Sequence, residues 1–112
     1  MDLDCFRQDD ALIVSVNADR IDSAVAIRFK DAVRGAARDG PKRVILDLQE
    51  VRFVDSSGLG AIVAVMKLLA PEQRLELAAL TPDVEKVFRL TRMDTVFEIH
   101  AEAGKPASRA TG

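Results

Sequence analysis

The residues best suited to chemistry stand together in the segment Asp55-Ser56-Ser57-Gly58. An apolar stretch, residues 51–54, precedes this segment and a predicted helix follows it, so Asp55 or Ser56 falls at the helix N-cap. Unpaired backbone N–H groups in a first helical turn favour anions, and a phosphate on Ser56 would lie against them. The glycine of the segment and Gly60 leave room for another protein's active site to approach the hydroxyl. On these four residues alone, a well-capped helix without a further role is the simpler interpretation.

Catalytic roles for Ser56 fit the sequence poorly. A hydrolase nucleophile elbow has the pattern Gly-x-Ser-x-Gly, and Val54 stands where the first glycine belongs. A phosphate-binding loop ends in Gly-Lys-Ser or Gly-Lys-Thr, which the chain lacks. His100 is the only histidine, and it is expected where the folded part ends. Cys5 is the only cysteine, and it is expected to pack in an N-terminal strand. We predict a protein that is not an enzyme, with no catalytic residue, no metal site and no cofactor.

The helix after this segment has an outer face that is poor in charge. Its predicted inner face holds Leu59, Ile62, Val63, Met66 and Leu69. The opposite side carries Gly60, Ala61, Ala64, Lys67 and Leu68, with Val65 at its border. A solvent-exposed helix face normally carries several charges, and this one has a single lysine. We predict a docking surface for a partner protein, although contact with another element of the same domain explains the composition equally well.

The rest of the chain alternates strand and helix patterns. Strands are predicted at residues 4–7, 11–16, 44–48, 74–79 and 96–99, the third buried on both faces and the fourth half-buried. A first helix is expected to begin at Asp22 or Ser23 and to end at residues 39–41, and its buried residues are predicted to be Val25, Ile27, Phe29, Ala32, Val33 and Ala36. Another helix begins with Thr81 and Pro82, and its apolar side is Val84, Val87, Phe88 and Leu90. This order predicts an α/β fold, a mixed central β-sheet of about four to five strands with helices packed against it.

Length and composition fit one small domain. The chain has 112 residues, 48% hydrophobic and 30% charged, with a formal net charge of −2. The absence of a basic stripe argues against a nucleic-acid partner, and no apolar run reaches the roughly 18 residues of a membrane span. The N-terminus lacks the pattern of a secretory signal, so we expect a cytoplasmic protein without direct membrane insertion. Residues 1–100 are predicted as the domain and residues 101–112, which hold no large apolar side chain, as a flexible tail.

Residues 44–60, Val-Ile-Leu-Asp-Leu-Gln-Glu-Val-Arg-Phe-Val-Asp-Ser-Ser-Gly-Leu-Gly, closely resemble the central stretch of the STAS-domain anti-sigma factor antagonists. The order of strands and helices between residues 4 and 100 fits that fold. The resemblance implies that the unphosphorylated protein binds an anti-sigma factor and so frees a sigma factor, which regulates transcription. That anti-sigma factor is also a serine kinase of the histidine-kinase-like ATPase superfamily. It phosphorylates the serine after the aspartate, here Ser56, and the complex dissociates; a PP2C-type phosphatase then restores the binding form.

The resemblance and the uncharged helix face together predict the partner-binding residues. These are Asp22, Asp55, Ser56, Ser57, Gly58, Gly60, Ala61, Ala64 and Leu68. Asp22 is the best match for a family aspartate that lies near the phosphorylated serine. Two features depart from the family pattern: the stretch at residues 17–22 lacks glycine and is one residue longer, and the C-terminal helix common in the family is not evident in residues 101–112.

Other functions are compatible with the same fold. One alternative is the same phosphorylation switch with an output other than a sigma factor, which the sequence does not separate from the first function. Another is a STAS adaptor subunit of a membrane lipid-transport complex, which the intact Asp55-Ser56-Ser57-Gly58 segment disfavours. A serine hydrolase is a more distant alternative, because His100 would have to act as the base from near the tail.

Overall fold

A computed structural model describes residues 1–103 of the chain. Within them the strands are β1 (Leu3–Gln8), β2 (Ala11–Val16), β3 (Arg20–Ile21), β4 (Arg43–Asp47), β5 (Phe53–Val54), β6 (Arg74–Ala78) and β7 (Ile99–His100). The helices are α1 (Ala26–Ala37), α2 (Ser56–Leu69) and α3 (Pro82–Leu90), and a 3-10 turn spans Met93–Thr95. Most of the predicted tail, residues 104–112, lies outside the described residues.

Five of the strands form one mixed sheet in the order β1-β2-β4-β6-β7. β1 and β2 form an antiparallel hairpin, and the other neighbouring strands pair in parallel. Because adjacent parallel strands require a crossover connection, each parallel step contains one of the three helices, α1, α2 and α3 in turn. The predicted α/β fold with a mixed sheet of four to five strands is confirmed.

The three helices pack on one face of the sheet. Their buried side chains, including Phe29, Ile62 and Phe88, join alternate residues of the strands in one apolar cluster. The opposite face carries a smaller cluster of Ala11, Ile13, Ile45 and Ala78. Both faces of β6 are therefore buried beyond Arg74, and the prediction of a half-buried strand there was wrong. The prediction that Cys5 packs inside was also wrong, because its side chain is exposed on β1.

The helix patterns located the helices but misplaced residues at their ends. Ile27, predicted to be buried, is 71% exposed, whereas Phe29 is fully buried. Residues two apart on a helix point about 200° away from each other, so the two side chains cannot both face the core. Leu90, the last residue of α3, was also predicted to face the core and is 74% exposed. The left-handed backbone after α1 occurs at Asp39, with φ of 59°, and not at the following glycine.

A second, two-stranded parallel ladder joins β3 to β5, with Arg20 opposite Phe53 and Ile21 opposite Val54. β3 was not predicted from the sequence, because two residues carry no readable periodicity. The carbonyl of Asp19 extends the ladder by accepting hydrogen bonds from the backbone N–H groups of residues 52 and 53, at 2.7 and 3.2 Å. The ladder therefore holds the segment before α1 against the segment before α2.

A charged network surrounds Glu76, which is fully buried on the sheet face away from the helices. Its carboxylate accepts hydrogen bonds from Arg43 and Arg74, both at 2.9 Å, and Nε2 of His100 lies 2.7 Å from Oε1. The hydrogen bond from Arg43 is the largest influence, and with those from His100 and Arg74 it lowers the pKa of Glu76 to about 2, although burial acts in the opposite direction. The network holds β7 against β6 through His100, which lies in the last strand of the described residues.

Candidate functional site

The β3–β5 ladder brings two predicted site residues, Asp22 and Asp55, next to each other. Each follows its strand directly, and the last residues of the two strands, Ile21 and Val54, are paired in the parallel ladder. The backbone N–H of Asp55 continues the pairing by donating to the Ile21 carbonyl at 3.4 Å. Two carboxylates therefore follow the adjacent ends of paired strands, and that of Asp55 directly precedes Ser56.

Asp55 is the N-cap of α2, and Ser56 is the first residue of the helix. The Asp55 backbone is extended, with φ of −94° and ψ of −175°, and its Oδ1 accepts a hydrogen bond from the backbone N–H of Gly58 at 2.8 Å. Its other oxygen accepts from the backbone N–H of Ser23 at 3.2 Å. Of the two N-caps left open by the sequence, Asp55 is the one that forms, which leaves the hydroxyl of Ser56 without a capping role.

Gly58 is required by the close approach of the ladder to α2. A Cβ atom at this position would lie 1.9 Å from the backbone carbonyl oxygen of Ile21, a distance that no side chain tolerates. Gly60 differs, because a Cβ atom there would meet no atom within 4 Å. Of the two glycines predicted to give access to Ser56, Gly58 sets the packing of the turn and Gly60 opens the surface.

The hydroxyls of Ser56 and Ser57 are exposed at the start of α2. Within residues 1–103 neither Oγ atom has a hydrogen-bond partner, and the neighbouring carboxylate of Asp55 is committed to backbone N–H groups. His100, the only histidine, contacts Glu76 in the large sheet. A serine without an imidazole or other base is not activated as a nucleophile. The hydroxyl of Ser56 is therefore accessible to an external enzyme, and no imidazole or carboxylate of residues 1–103 is hydrogen-bonded to it.

The surroundings of Asp22 mix both charges. Its Oδ1 accepts a hydrogen bond from the backbone N–H of Ala24 at 3.1 Å, and Oδ2 lies 3.5 Å from an Nη of Arg20. The Arg20 guanidinium also stacks on the half-exposed ring of Phe53, 5.1 Å from its centroid. Such cation–π contacts orient an arginine without removing it from solvent. One positive and two negative side chains thus lie around the start of α2.

A shallow groove between α1 and α2 begins at Ser57. It has a volume of about 210 Å³ and is lined by Ala26, Ile27, Lys30, Ser57, Gly60, Ala61 and Ala64. Ala61 is only 8% exposed and forms part of the floor, while Leu68, seven residues further along α2, is 48% exposed. Val65, expected at the border of the surface, is fully buried. We name this surface the α1–α2 groove.

Contact within the domain accounts for part of the outer face of α2, since α2 packs against α1 and both Ala61 and Val65 are buried. Gly60, Ala64 and Leu68 stay accessible, and docking of a partner on them stays a prediction. The contribution of α1 was missed by the sequence analysis, because Ile27 was assigned to the core. A stricter test of the helical period would have placed Ile27 opposite Phe29, hence at the surface.

Elsewhere in the described part of the chain, Glu76, Glu98 and His100 offer ligand atoms within 4.8 Å of one another. Such a set has the chemistry of a metal site. However, the Glu76 oxygens already accept hydrogen bonds from Arg43 and Arg74, and the positive charge of two guanidinium groups opposes a cation. We interpret the cluster as a structural ion network.

No helix in the part of the chain that the structure describes combines the length and the apolar character needed to cross a bilayer.

Comparison with known proteins identifies the fold and the family of this chain. The model of the STAS domain family matches residues 3–105. A candidate anti-sigma factor antagonist of Bordetella bronchiseptica, BtrV, is 28% identical over 91 residues, which cover 80% of this chain and 78% of that protein. The crystal structure of an anti-sigma factor antagonist from Mycobacterium paratuberculosis is similar with a TM-score of 0.77 and 26% identity, over 88% of this chain and 84% of that one.

A third similarity concerns the fold alone. The structure of an anti-sigma-factor antagonist (STAS) domain protein from Planctomyces limnophilus gives a TM-score of 0.80 at 18% identity, over 92% of each chain. The sheet order, the three helices on one face and the family match over residues 3–105 agree with one another. The chain belongs to the STAS domain family.

Proposed function

We propose that this protein is an anti-sigma factor antagonist controlled by phosphorylation of Ser56. The observation that carries the proposal is the position of the exposed, unbonded Ser56 hydroxyl beside the α1–α2 groove, whose lining contains one charged residue, Lys30. Unphosphorylated, the protein binds an anti-sigma factor through this groove and the turn at Asp55, and a sigma factor is released. The similarity to proteins described as anti-sigma factor antagonists supports the choice of partner.

Phosphorylation would act on this surface by electrostatics and desolvation. A phosphoserine adds about −1.5 to −2 charges at neutral pH. On Ser56 that charge would directly follow Asp55, whose strand end is paired with that of Asp22, at the end of a surface formed mainly by small and apolar side chains. An interface that closes over the groove would bury these negative charges together, so the complex would dissociate.

The catalysis must come from the partners. Anti-sigma factor antagonists of this family are non-enzymatic binding modules, in agreement with the prediction that this protein is not an enzyme. We propose that the anti-sigma factor is itself a serine kinase of the histidine-kinase-like ATPase superfamily, and that a PP2C-type phosphatase removes the phosphate. The accessible Ser56 hydroxyl suits both enzymes, because each must reach the same oxygen. The complete cycle would take place in the cytoplasm.

Affinity purification of the full chain from its own cells tests this function. Wild type, Ser56→Ala and Ser56→Asp are compared after mass-spectrometric identification of bound proteins. We expect a kinase-like ATPase with wild type, at least as much of it with Ser56→Ala, and clearly less with Ser56→Asp, which carries part of the phosphate charge. Recovery of a transporter ATPase in equal amounts with all three proteins would instead favour the adaptor function. Equal recovery of the kinase with all three would contradict the electrostatic mechanism.

A further inference from the structure

The outward face of the β3–β5 ladder carries an arginine and an aromatic ring. Ile21 and Val54 point inward and are buried, whereas their strand neighbours Arg20 and Phe53 are exposed and lie opposite each other in the parallel register. This alternation follows from the geometry of a strand, in which successive side chains point to opposite faces. The exposed pair therefore lies on the two short strands that lead into the candidate site.

The guanidinium group of Arg20 is held in position but uses few of its hydrogen-bond donors. It stacks over the Phe53 ring, 5.1 Å from the centroid, and one Nη donates to Oδ2 of Asp22 at 3.5 Å, a long hydrogen bond. A guanidinium has five N–H donors, and within residues 1–103 the Arg20 side chain makes no other hydrogen bond. The side chain is 58% exposed. Most of its donors are therefore available to an acceptor from outside the domain.

Phe53 presents a half-exposed ring close to Ser56. Its backbone N–H donates to the Asp19 carbonyl at 3.2 Å, which fixes the strand. Phe53 lies three residues before Ser56, so the two Cα atoms are at most about 11 Å apart. A standard protein interface covers about 800 Å² on each partner, a patch roughly 30 Å across. A partner that covers Ser56 and the α1–α2 groove therefore has the size to reach the exposed ring as well.

We propose that Arg20 and Phe53 are a second contact of the docking surface, and that Arg20 binds a carboxylate of the anti-sigma factor. This inference rests on the proposed function, which supplies the partner. Arginine and aromatic side chains are enriched at the energetic centres of interfaces. Because the ring and Asp22 already orient the guanidinium, ordering it on binding costs little entropy.

The chemistry of the Arg20 guanidinium selects a carboxylate as its partner group. An interface that closes over this charge removes it from water, which is costly unless the charge is paired and hydrogen-bonded. Asp22 accepts only one long hydrogen bond from it, so the remaining acceptors must come from the bound protein. An aspartate or glutamate matches the planar fork of the guanidinium with two parallel hydrogen bonds.

Quantitative affinity purification tests the contact. Full-length wild type, Arg20→Glu, Phe53→Ala and Arg52→Glu are purified from the native cells, and the kinase-like ATPase bound to each is measured by mass spectrometry. Arg52 is the matched control, because it is exposed beside Phe53 but lines a cavity at the start of α3 with Thr81 and Asp83. We expect about tenfold less kinase with Arg20→Glu, a clear loss with Phe53→Ala and no change with Arg52→Glu. Circular dichroism should show that all four proteins fold.

A zero-length carbodiimide crosslink tests the carboxylate. The reagent joins a lysine amine to an adjacent carboxyl group and does not react with a guanidinium. In the complex of Arg20→Lys with the kinase, fragment spectra should link position 20 to an aspartate or glutamate of the kinase. Arg52→Lys should give no such link. A crosslink from Arg20→Lys only to Asp22 of its own chain would overturn the binding of a partner carboxylate.

The outcomes separate this contact from the proposed function. Equal recovery of the kinase with wild type and Arg20→Glu, while Ser56→Asp still recovers less, would overturn the contact and leave the proposed function standing. An equal loss with Arg20→Glu and Arg52→Glu would assign the effect to net charge and would also overturn the contact. Recovery of no kinase with wild type would overturn both.

Discussion

The backbone N–H of Ser23 donates to Oδ2 of Asp55 at 3.2 Å, while Oδ1 of the same carboxylate accepts from Gly58 in the first turn of α2. One side chain therefore joins the segment before α1 to the start of α2 across 32 residues of sequence. The two helices that form the groove are thus held at the same end by the residue that precedes the proposed phosphorylation site. The Asp55 carboxylate therefore stabilises the fold and also fixes the backbone around Ser56.

Replacing Asp55 by alanine should destabilise the fold through the loss of both hydrogen bonds. Removal of an N-cap aspartate costs about 0.5–2 kcal/mol, and the lost bond to Ser23 favours the upper part of this range. Urea unfolding followed by circular dichroism measures the change. Ser56→Ala serves as the control, because its hydroxyl is unbonded within the described residues, and its free energy of unfolding should stay within about 0.5 kcal/mol of wild type. A larger loss for Ser56→Ala than for Asp55→Ala would show that the cap is assigned to the wrong residue.

Gly58→Ala should be much more harmful than an ordinary glycine substitution. The added Cβ atom would lie 1.9 Å from the Ile21 carbonyl oxygen, so β3 or α2 must shift. Overpacking of this kind costs about 1–3 kcal/mol. The matched control is Gly35→Ala in α1, where a Cβ atom meets nothing within 4 Å and where removing a helical glycine should stabilise by about 0.5–1 kcal/mol. Thermal unfolding of the two variants should therefore shift in opposite directions, and equal shifts would contradict the close packing.

The sequence predicted the three helices and four strands of the large sheet because their signals extend over many residues, whereas the last strand is Ile99–His100 and not residues 96–99. Val44, Leu46 and the apolar positions of α2 repeat at the periods of strand and helix, and turn residues mark the ends. β3 left no such signal, since Arg20 and Ile21 become a strand only by pairing with Phe53 and Val54. Its existence depends on contacts between distant segments, which a local pattern does not contain.

Only the part of the candidate site that is continuous in sequence could be predicted. Asp55, Ser56 and Gly58 are adjacent in sequence, so their turn was readable from residue types alone. The position of Ile27 at the groove depends on how α1 lies on the sheet. The Glu76 network depends on three strands that bring Arg43, Arg74 and His100 to one carboxylate. Neither arrangement follows from local preference.

Ile27→Glu should weaken binding of the kinase without unfolding the protein. The residue is 71% exposed in the lining of the α1–α2 groove, so a charge is tolerated in the free protein but would be buried in the complex. If Ile27 is an anchor of the interface, affinity should fall about tenfold or more. Calorimetric titration with the kinase identified by purification measures the effect.

Leu90→Glu is the matched control for that substitution. Leu90 is 74% exposed on α3 and does not line the groove, so its variant should bind the kinase as wild type does. Unchanged affinity of Ile27→Glu, or an equal loss in Leu90→Glu, would place the interface elsewhere. Both variants should show the circular dichroism spectrum of wild type.

Glu76→Gln should both lower stability and change its dependence on pH. The folded-state pKa of Glu76, about 2, lies below its ordinary value of 4.5, so the ionised carboxylate stabilises the folded state at pH above about 4.5. That contribution is lost as the pH falls towards 2. Glutamine cannot neutralise Arg43 and Arg74, but these side chains are 31% and 65% exposed, so the loss at neutral pH should be smaller than the roughly 3–5 kcal/mol of a fully buried pair. Urea unfolding between pH 2 and 7 should therefore show a steep fall in the free energy of unfolding for wild type and a flatter profile for Glu76→Gln.

Glu98→Gln is the control, because Glu98 is an exposed neighbour of His100 and its variant should keep the wild-type profile. Parallel profiles for wild type and Glu76→Gln would mean that another carboxyl governs acid unfolding.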